Sequence, residues 1–227
     1  SNVVVQFRRE SYALHGYGER WQAMIGIVDY GIGNIKAFSN IYKQLDIPHR
    51  IITSKKHFKD VEKIILPGVG AFDHAMIRLG ESGLLETLND LVLNKKKPVL
   101  GICVGMQMMA KFSEEGTLSG LGWIEATVNK FNKEELGKRN PLPHMGWNSV
   151  NQIVGNPLFK DIDVNSRFYF LHSYYFNSAS KEHSIALTKY GSQFTCAIGQ
   201  DNIFGVQFHP EKSHHNGMQL LKNFSNL

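Results

Sequence analysis

Hydrophobic and polar positions keep two alternating rhythms along the first half of the chain. Ile25-Gly26-Ile27-Val28-Asp29, His49–Ile52, Lys63–Leu66 and Val99–Ile102 read as short strands, the last of them a buried one. Between them the period lengthens. Ile35, Phe38, Ile41, Tyr42 and Leu45 fall on one stripe of a helix near Asn34–Leu45. A short helix follows Ser54. Further helices are predicted over Asp73–Leu79, over Leu84–Leu93, and over Val104–Phe112 with Met106, Met109 and Phe112 on one side. This alternation argues for a parallel sheet with helices on both faces.

The second half is β-rich. Trp123–Phe131, Phe168–Phe176, Ile185–Lys189, Phe194–Ile198 and Ile203–Phe208 read as strands, and Gln200-Asp201-Asn202 as a hairpin turn between the last two. An amphipathic helix over Asn216–Phe224 closes the chain. The expected fold class is therefore α/β, with a mostly parallel central sheet, helices on both faces and an antiparallel β-rich flank. Residues 24–227 form one domain in this reading. Residues 1–23 carry aromatics without period and begin with a scar-like Ser-Asn, so they are read as an N-terminal extension, expression-derived or disordered, outside the fold.

Two segments carry chemistry. In Gly101-Ile102-Cys103-Val104-Gly105-Met106-Gln107 a strand runs into a helix through Gly-x-Cys-x-Gly, the nucleophile-elbow pattern with sulfur in place of a serine oxygen. The glycines leave room for a sharp turn, and the helix N-terminus favours a thiolate. The backbone N–H of Val104 becomes one donor for an oxyanion. Gln107 lies one helical turn beyond Cys103 on the same face. In Gln207-Phe208-His209-Pro210-Glu211-Lys212-Ser213, proline biases His209 towards extended backbone, and residues two apart in an extended run share a face. Glu211 can then orient the His209 imidazole, completing the inventory of a Cys-His-Glu nucleophilic site.

These two segments together resemble the triad, or class I, glutamine amidotransferases. Asp29-Tyr30-Gly31-Ile32-Gly33-Asn34, Leu66-Pro67-Gly68-Val69-Gly70-Ala71-Phe72, Pro143-His144-Met145-Gly146-Trp147-Asn148 and Tyr169–Tyr175 extend the likeness from Met24 to Leu227. Within the family they are similar to the glutaminase subunits of imidazole glycerol phosphate synthases. The resemblance implies cytoplasmic hydrolysis of glutamine by Cys103, His209 and Glu211, without cofactor or metal. Ammonia would pass to a (β/α)8-barrel synthase (cyclase) subunit in a heterodimer. It also implies Val69 N–H as the second oxyanion donor and a glutamine site made by Gly68, Gly70, Gln107 and the segment His172-Ser173-Tyr174. Asn34 would contact the partner. Two rivals stay open: a paralogue feeding an amino-sugar amidotransferase, and a stand-alone γ-glutamyl thiol hydrolase needing no partner.

Composition changes little in this picture. The net charge of +5 comes from interspersed acids and bases with no nucleic-acid motif. No apolar run approaches the ~18 residues that span a bilayer. Two cysteines, one committed to chemistry, fit a reducing compartment better than a disulfide framework. His214-His215 lacks the spacing of a metal site, and Asp29–Asn34 lacks both glycine patterns of phosphate-binding turns.

Overall fold

The computed structural model describes residues 23–227 apart from Val154. The reading of 1–23 as an extension thus falls, but for Ala23, outside the described residues. The first half runs β1 (Ile25–Val28), α1 (Ile35–Gln44), β2 (His49–Ile52), β3 (Lys63–Leu66), α2 (Phe72–Glu81), α3 (Leu85–Asn89), β4 (Val99–Ile102) and α4 (Val104–Gln107). The second half runs β5 (Phe112–Ser113), β6 (Ala126–Lys130), α5 (Lys133–Leu136), β7 (His144–Ser149), β8 (Asn151–Gln152), β9 (Arg167–His172), β10 (Tyr174–Ser178), β11 (Ser184–Tyr190), β12 (Ser192–Gln200), β13 (Ile203–Val206) and α6 (His214–Ser225).

The main sheet has the order β2-β1-β3-β4-β13-β12-β10-β6-β5, with β11 beside β12 and β8 beside β11. From β2 to β13 every pairing is parallel, and β12, β10 and β6 then pair antiparallel. Ile25, Ile27, Ile64, Ile65, Leu66, Val99 and Leu100 are completely buried, which is why these strands read as unbroken apolar runs. Tyr42 of α1 donates its hydroxyl to Leu221 O of α6 across one helical layer. β7 and β9 form a separate two-stranded sheet.

Three expectations need correction. The helix expected over Val104–Phe112 stops at Gln107. Lys111 N–H goes to Ala126 O instead of Gln107 O, and Met108 O accepts Leu121 N–H, so the bonds that would carry the helix on to Phe112 are made elsewhere. Phe112 consequently leaves the buried side and is 56% exposed. The strand expected over Phe168–Phe176 is two strands in different sheets, divided at Ser173. The helix expected over Leu84–Leu93 gives way to a π turn at Asp90–Asn94, where Lys95 N–H reaches Asp90 O.

Candidate active site

β4 ends at Ile102 and α4 begins at Val104, so Cys103 alone turns the chain. Its φ of 53° and ψ of −110° lie where L-residues rarely sit, a strain of about 1–3 kcal/mol held by the surroundings. Glycines permit the turn. A Cβ on Gly101 would lie 2.7 Å from Gly105 O, and one on Gly105 only 1.9 Å from Leu66 O of β3. A Cβ on Gly68 would meet Gly105 N at 2.5 Å. Gly68 therefore packs against the elbow backbone, and it lies outside the cleft lining. Cys103 N–H donates to Val206 O at 2.8 Å, which ties the elbow to the strand leading to His209. As the first residue of α4, Val104 has an N–H outside the helix's own bonding.

His209 follows β13 with extended backbone, its N–H bonded to Tyr169 O at 2.8 Å and its carbonyl accepting from Ser213 Oγ at 2.6 Å. The route from His209 to Glu211 differs from the expected strand alternation. Pro210–Lys212 is a 3₁₀ turn, and it brings Glu211 Oε1 to 2.8 Å from His209 Nδ1. Both side chains are 2% exposed. Burial by itself would depress the imidazole. The hydrogen bonds and negative charge of Cys103 and Glu211 outweigh burial and raise it to about 10.

A cleft of about 310 Å³ opens over these residues, lined by Cys103, Val104, Gln107 and His209 on one side. Val69, Gly70, His172, Ser173 and Tyr174 line it as well, beside Glu115, Pro143, Leu171 and Lys212, so all the expected glutamine and oxyanion residues except Gly68 converge there. Glu211 stands behind His209. Asn34 is exposed just before α1, away from the cleft. Its turn nevertheless touches the Pro67–Gly70 loop: Tyr30 donates its hydroxyl to Pro67 O at 2.6 Å.

The sequence reading missed two residues. Glu115 lines the cleft and accepts Phe72 N–H at 3.0 Å. Burial pushes its carboxyl up, partly offset by that N–H. In sequence it sits in Ser113-Glu114-Glu115-Gly116, which reads as a solvated turn. Gln207 is completely buried under Cys103, and nothing in its strand pattern separates it from a core position.

The cleft wall is set by two buried histidines. His172 Nδ1 lies 2.8 Å from Tyr174 O, which can only accept, so Nδ1 carries the hydrogen and Nε2 accepts. His144 Nδ1, 2.9 Å away, is then the donor, and His144 Nε2 accepts from Asn148 Nδ2 at 3.2 Å. Both rings are neutral. Burial takes His144 down to about 4, and burial together with repulsion from His144 takes His172 to about 3.

An α/β sheet with an elbow cysteine at the end of a central strand defines a class, and the chain belongs to it. The family described as glutamine amidotransferase class-I matches residues 27–226. Over 204 residues the chain is 53% identical to the imidazole glycerol phosphate synthase subunit HisH of Leptospira borgpetersenii, covering 90% of this chain and 100% of that one. It is 45% identical over 204 residues to the imidazole glycerol phosphate synthase subunit HisH 2 of Pseudomonas aeruginosa, with the same coverage. Among solved structures, a glutamine amidotransferase superposes with a TM-score of 0.67 at 16% identity, covering 89% of this chain and 99% of that one. PurLQS from Thermotoga maritima gives 0.65 at 15% identity, covering 90% and 98%. Both share the fold. Among the described residues no helix is long and apolar enough to cross a membrane.

Proposed function

We propose that this chain is the glutaminase subunit of an imidazole glycerol phosphate synthase in histidine biosynthesis, hydrolysing glutamine and passing ammonia to a synthase subunit. The observation that carries the reading is the convergence of the strained Cys103 and the carboxylate-braced His209 on one cleft. The names of the most similar relatives support the pathway. The partner is a (β/α)8-barrel forming a heterodimer, in the cytoplasm, and residues 24–227 are the working domain.

Cys103 Sγ attacks the side-chain carbonyl of glutamine with its proton already held by His209. Glu211 holds the imidazole through Nδ1, leaving Nε2 to face the reaction and stabilising the cation. The oxyanion is received by Val104 N–H and Val69 N–H. His209 then protonates departing ammonia, leaving a thioester. Water, losing its proton to His209, releases glutamate and returns the sulfur and the protonated imidazole to their starting state. Gln107 and Glu115 suit the α-ammonium of glutamine, with the backbone of Gly70 and His172–Tyr174 around the α-carboxylate. Gln107 spends both amide hydrogens on Tyr174 O and Gln207 Oε1, so its free group is the acceptor oxygen.

Ammonia escapes unless an acceptor is ready, so hydrolysis is weak until the partner is loaded. The peptide between Gly68 and Gly70 is the element that can turn an N–H in or out. Losing one oxyanion donor lowers the rate by about 10²–10³. Asn34 lies at the partner interface, and its turn reaches that loop through Tyr30 and Pro67. The test is steady-state glutamine hydrolysis by the chain alone, with the synthase subunit, and with that subunit plus its substrate. A strong rise along the series is expected, and equal rates in all three would overturn the subunit reading. Cys103→Ala should abolish glutamine-dependent turnover while the complex still works with ammonium salts.

A further inference from the structure

Gln207 is 0% exposed and lies one residue beyond the strand that carries the chain from the sheet to His209. Its backbone N–H is spent on Cys196 O at 2.8 Å. A buried primary amide has a carbonyl and two N–H bonds to place. Here the placement has one direction. Gln107 Nε2 donates to Tyr174 O at 3.1 Å and to Gln207 Oε1 at 3.0 Å. Tyr174 O also receives His172 Nδ1 at 2.8 Å. Because Gln207 Oε1 accepts from Gln107, Gln207 must turn its nitrogen the other way, and Nε2 lies 3.6 Å from Cys103 Sγ. The order of donors is fixed from the cleft wall to the sulfur.

We infer that Gln207 is a further catalytic residue, whose side-chain N–H is aimed at Cys103 Sγ to hold the thiolate for attack. The inference rests on Cys103 being the nucleophile. The cationic His209 is also bound to Glu211 and gives up its proton to departing ammonia, so a neutral donor gives the sulfur a second partner that stays in place through the cycle. Sulfur accepts a longer and weaker bond than oxygen, yet hydrogen bonds to ionised groups are the stronger ones. The same amide presents its other end to Gln107, which lines the cleft, so glutamine at Gln107 and the sulfur are joined through a single side chain.

Two substitutions separate the roles. Gln207→Met keeps length and apolar volume but has no donor. Gln207→Glu keeps an acceptor for Gln107 and, when ionised, also has no donor. The first readout is alkylation of Cys103 by iodoacetamide across pH in the full chain, followed by mass spectrometry. Only the thiolate reacts, and Cys196 is fully buried with its thiol pushed up by burial. Both variants are expected to move the alkylation profile to higher pH, slowing the reaction about tenfold or more at pH 7, while the plateau rate at high pH stays within about twofold of wild type. With the synthase subunit, kcat for glutamine should fall by about 10–100-fold with KM within about threefold. A purely structural role would instead lower the plateau and the melting temperature and leave the midpoint in place.

Profiles that coincide with wild type in a folded variant overturn the inference. Should neither variant fold, the wild-type chain decides. The side-chain amide ¹⁵N–¹H resonances of Gln207 are expected to move when Cys103 is carbamidomethylated, and unmoved resonances overturn the inference. Cys103→Ala separates the two readings. An inactive Cys103→Ala beside an unimpaired Gln207→Met rejects only the role of Gln207, whereas an active Cys103→Ala rejects the nucleophile and the role of Gln207 with it.

Discussion

Replacing Gly105 by alanine tests the geometry of the elbow directly. The Cβ would lie 1.9 Å from Leu66 O and 3.0 Å from Leu66 C, both in the backbone of a fully buried central strand. No side chain can rotate to relieve it. Either α4 or the β3 end must withdraw by about 1.5 Å to reach ordinary contact, and overpacking of this kind costs about 1–3 kcal/mol. For a domain of this size each kcal/mol lowers the melting temperature by about 2–4 °C, so a fall of about 2–12 °C is expected. The larger effect is on activity. Even a shift of about 1 Å at the residues beside Cys103 misplaces the sulfur and Val104 N–H, which is worth about 10²-fold in kcat. The assay is glutamine hydrolysis with the synthase subunit, beside thermal unfolding. Gly80→Ala in α2 is the control. Its Cβ meets nothing within 4 Å, so it should be neutral or stabilise by up to about 1 kcal/mol. Wild-type kcat and melting temperature in Gly105→Ala would refute the argument that close backbone approach sets the elbow.

Glu211→Gln keeps the shape but not the charge beside His209 Nδ1, so kcat should fall by about 10²–10⁴-fold in the hydrolysis assay. An unchanged kcat would remove Glu211 from the site. Because His209 is raised to about 10 from 6.5, it contributes stability that is complete below pH 6.5 and lost as pH climbs through 10. Denaturant unfolding should show that alkaline loss in wild type and a smaller one in Glu211→Gln. His144 and His172 act with the opposite sign. Their folded values of about 4 and 3 lie below the unfolded 6.5, so unfolding takes up protons and stability falls as pH drops from 6.5. His144 alone accounts for a loss on the order of 3 kcal/mol by pH 4. Melting temperatures that stay level between pH 7 and pH 5 would contradict the neutral pair.

Much of this protein is written locally. β1 and β4, and β3 after Lys63, fall where short apolar runs stand, because strands covered on both faces bury every side chain, whereas the edge strand β2 is His-Arg-Ile-Ile and only Ile52 is fully buried. The elbow was legible once Gly-x-Cys-x-Gly between a strand and a helix was taken together with His209-Pro210-Glu211, since alone it also fits a buried cysteine in a glycine-rich turn. The same holds for His209 beside Glu211, where proline restricts the backbone, although the sequence suggested strand alternation and the chain used a 3₁₀ turn. What stayed hidden depends on partners far along the chain. α4 ends at Gln107 because Ala126 O claims Lys111 N–H and Leu121 N–H claims Met108 O, and no property of Met108–Phe112 announces that. Ser173 divides two sheets because β7 pairs with the strand before it, while β6 and β12 pair with the strand after it. Glu115 enters the cleft because Phe72 N–H, 43 residues away, anchors its carboxylate. Gln207 faces sulfur rather than core because Gln107, 100 residues earlier, takes its carbonyl. Local sequence determines which bonds the backbone can make nearby; tertiary structure decides which distant group reaches each polar atom first, and that allocation fixes the site.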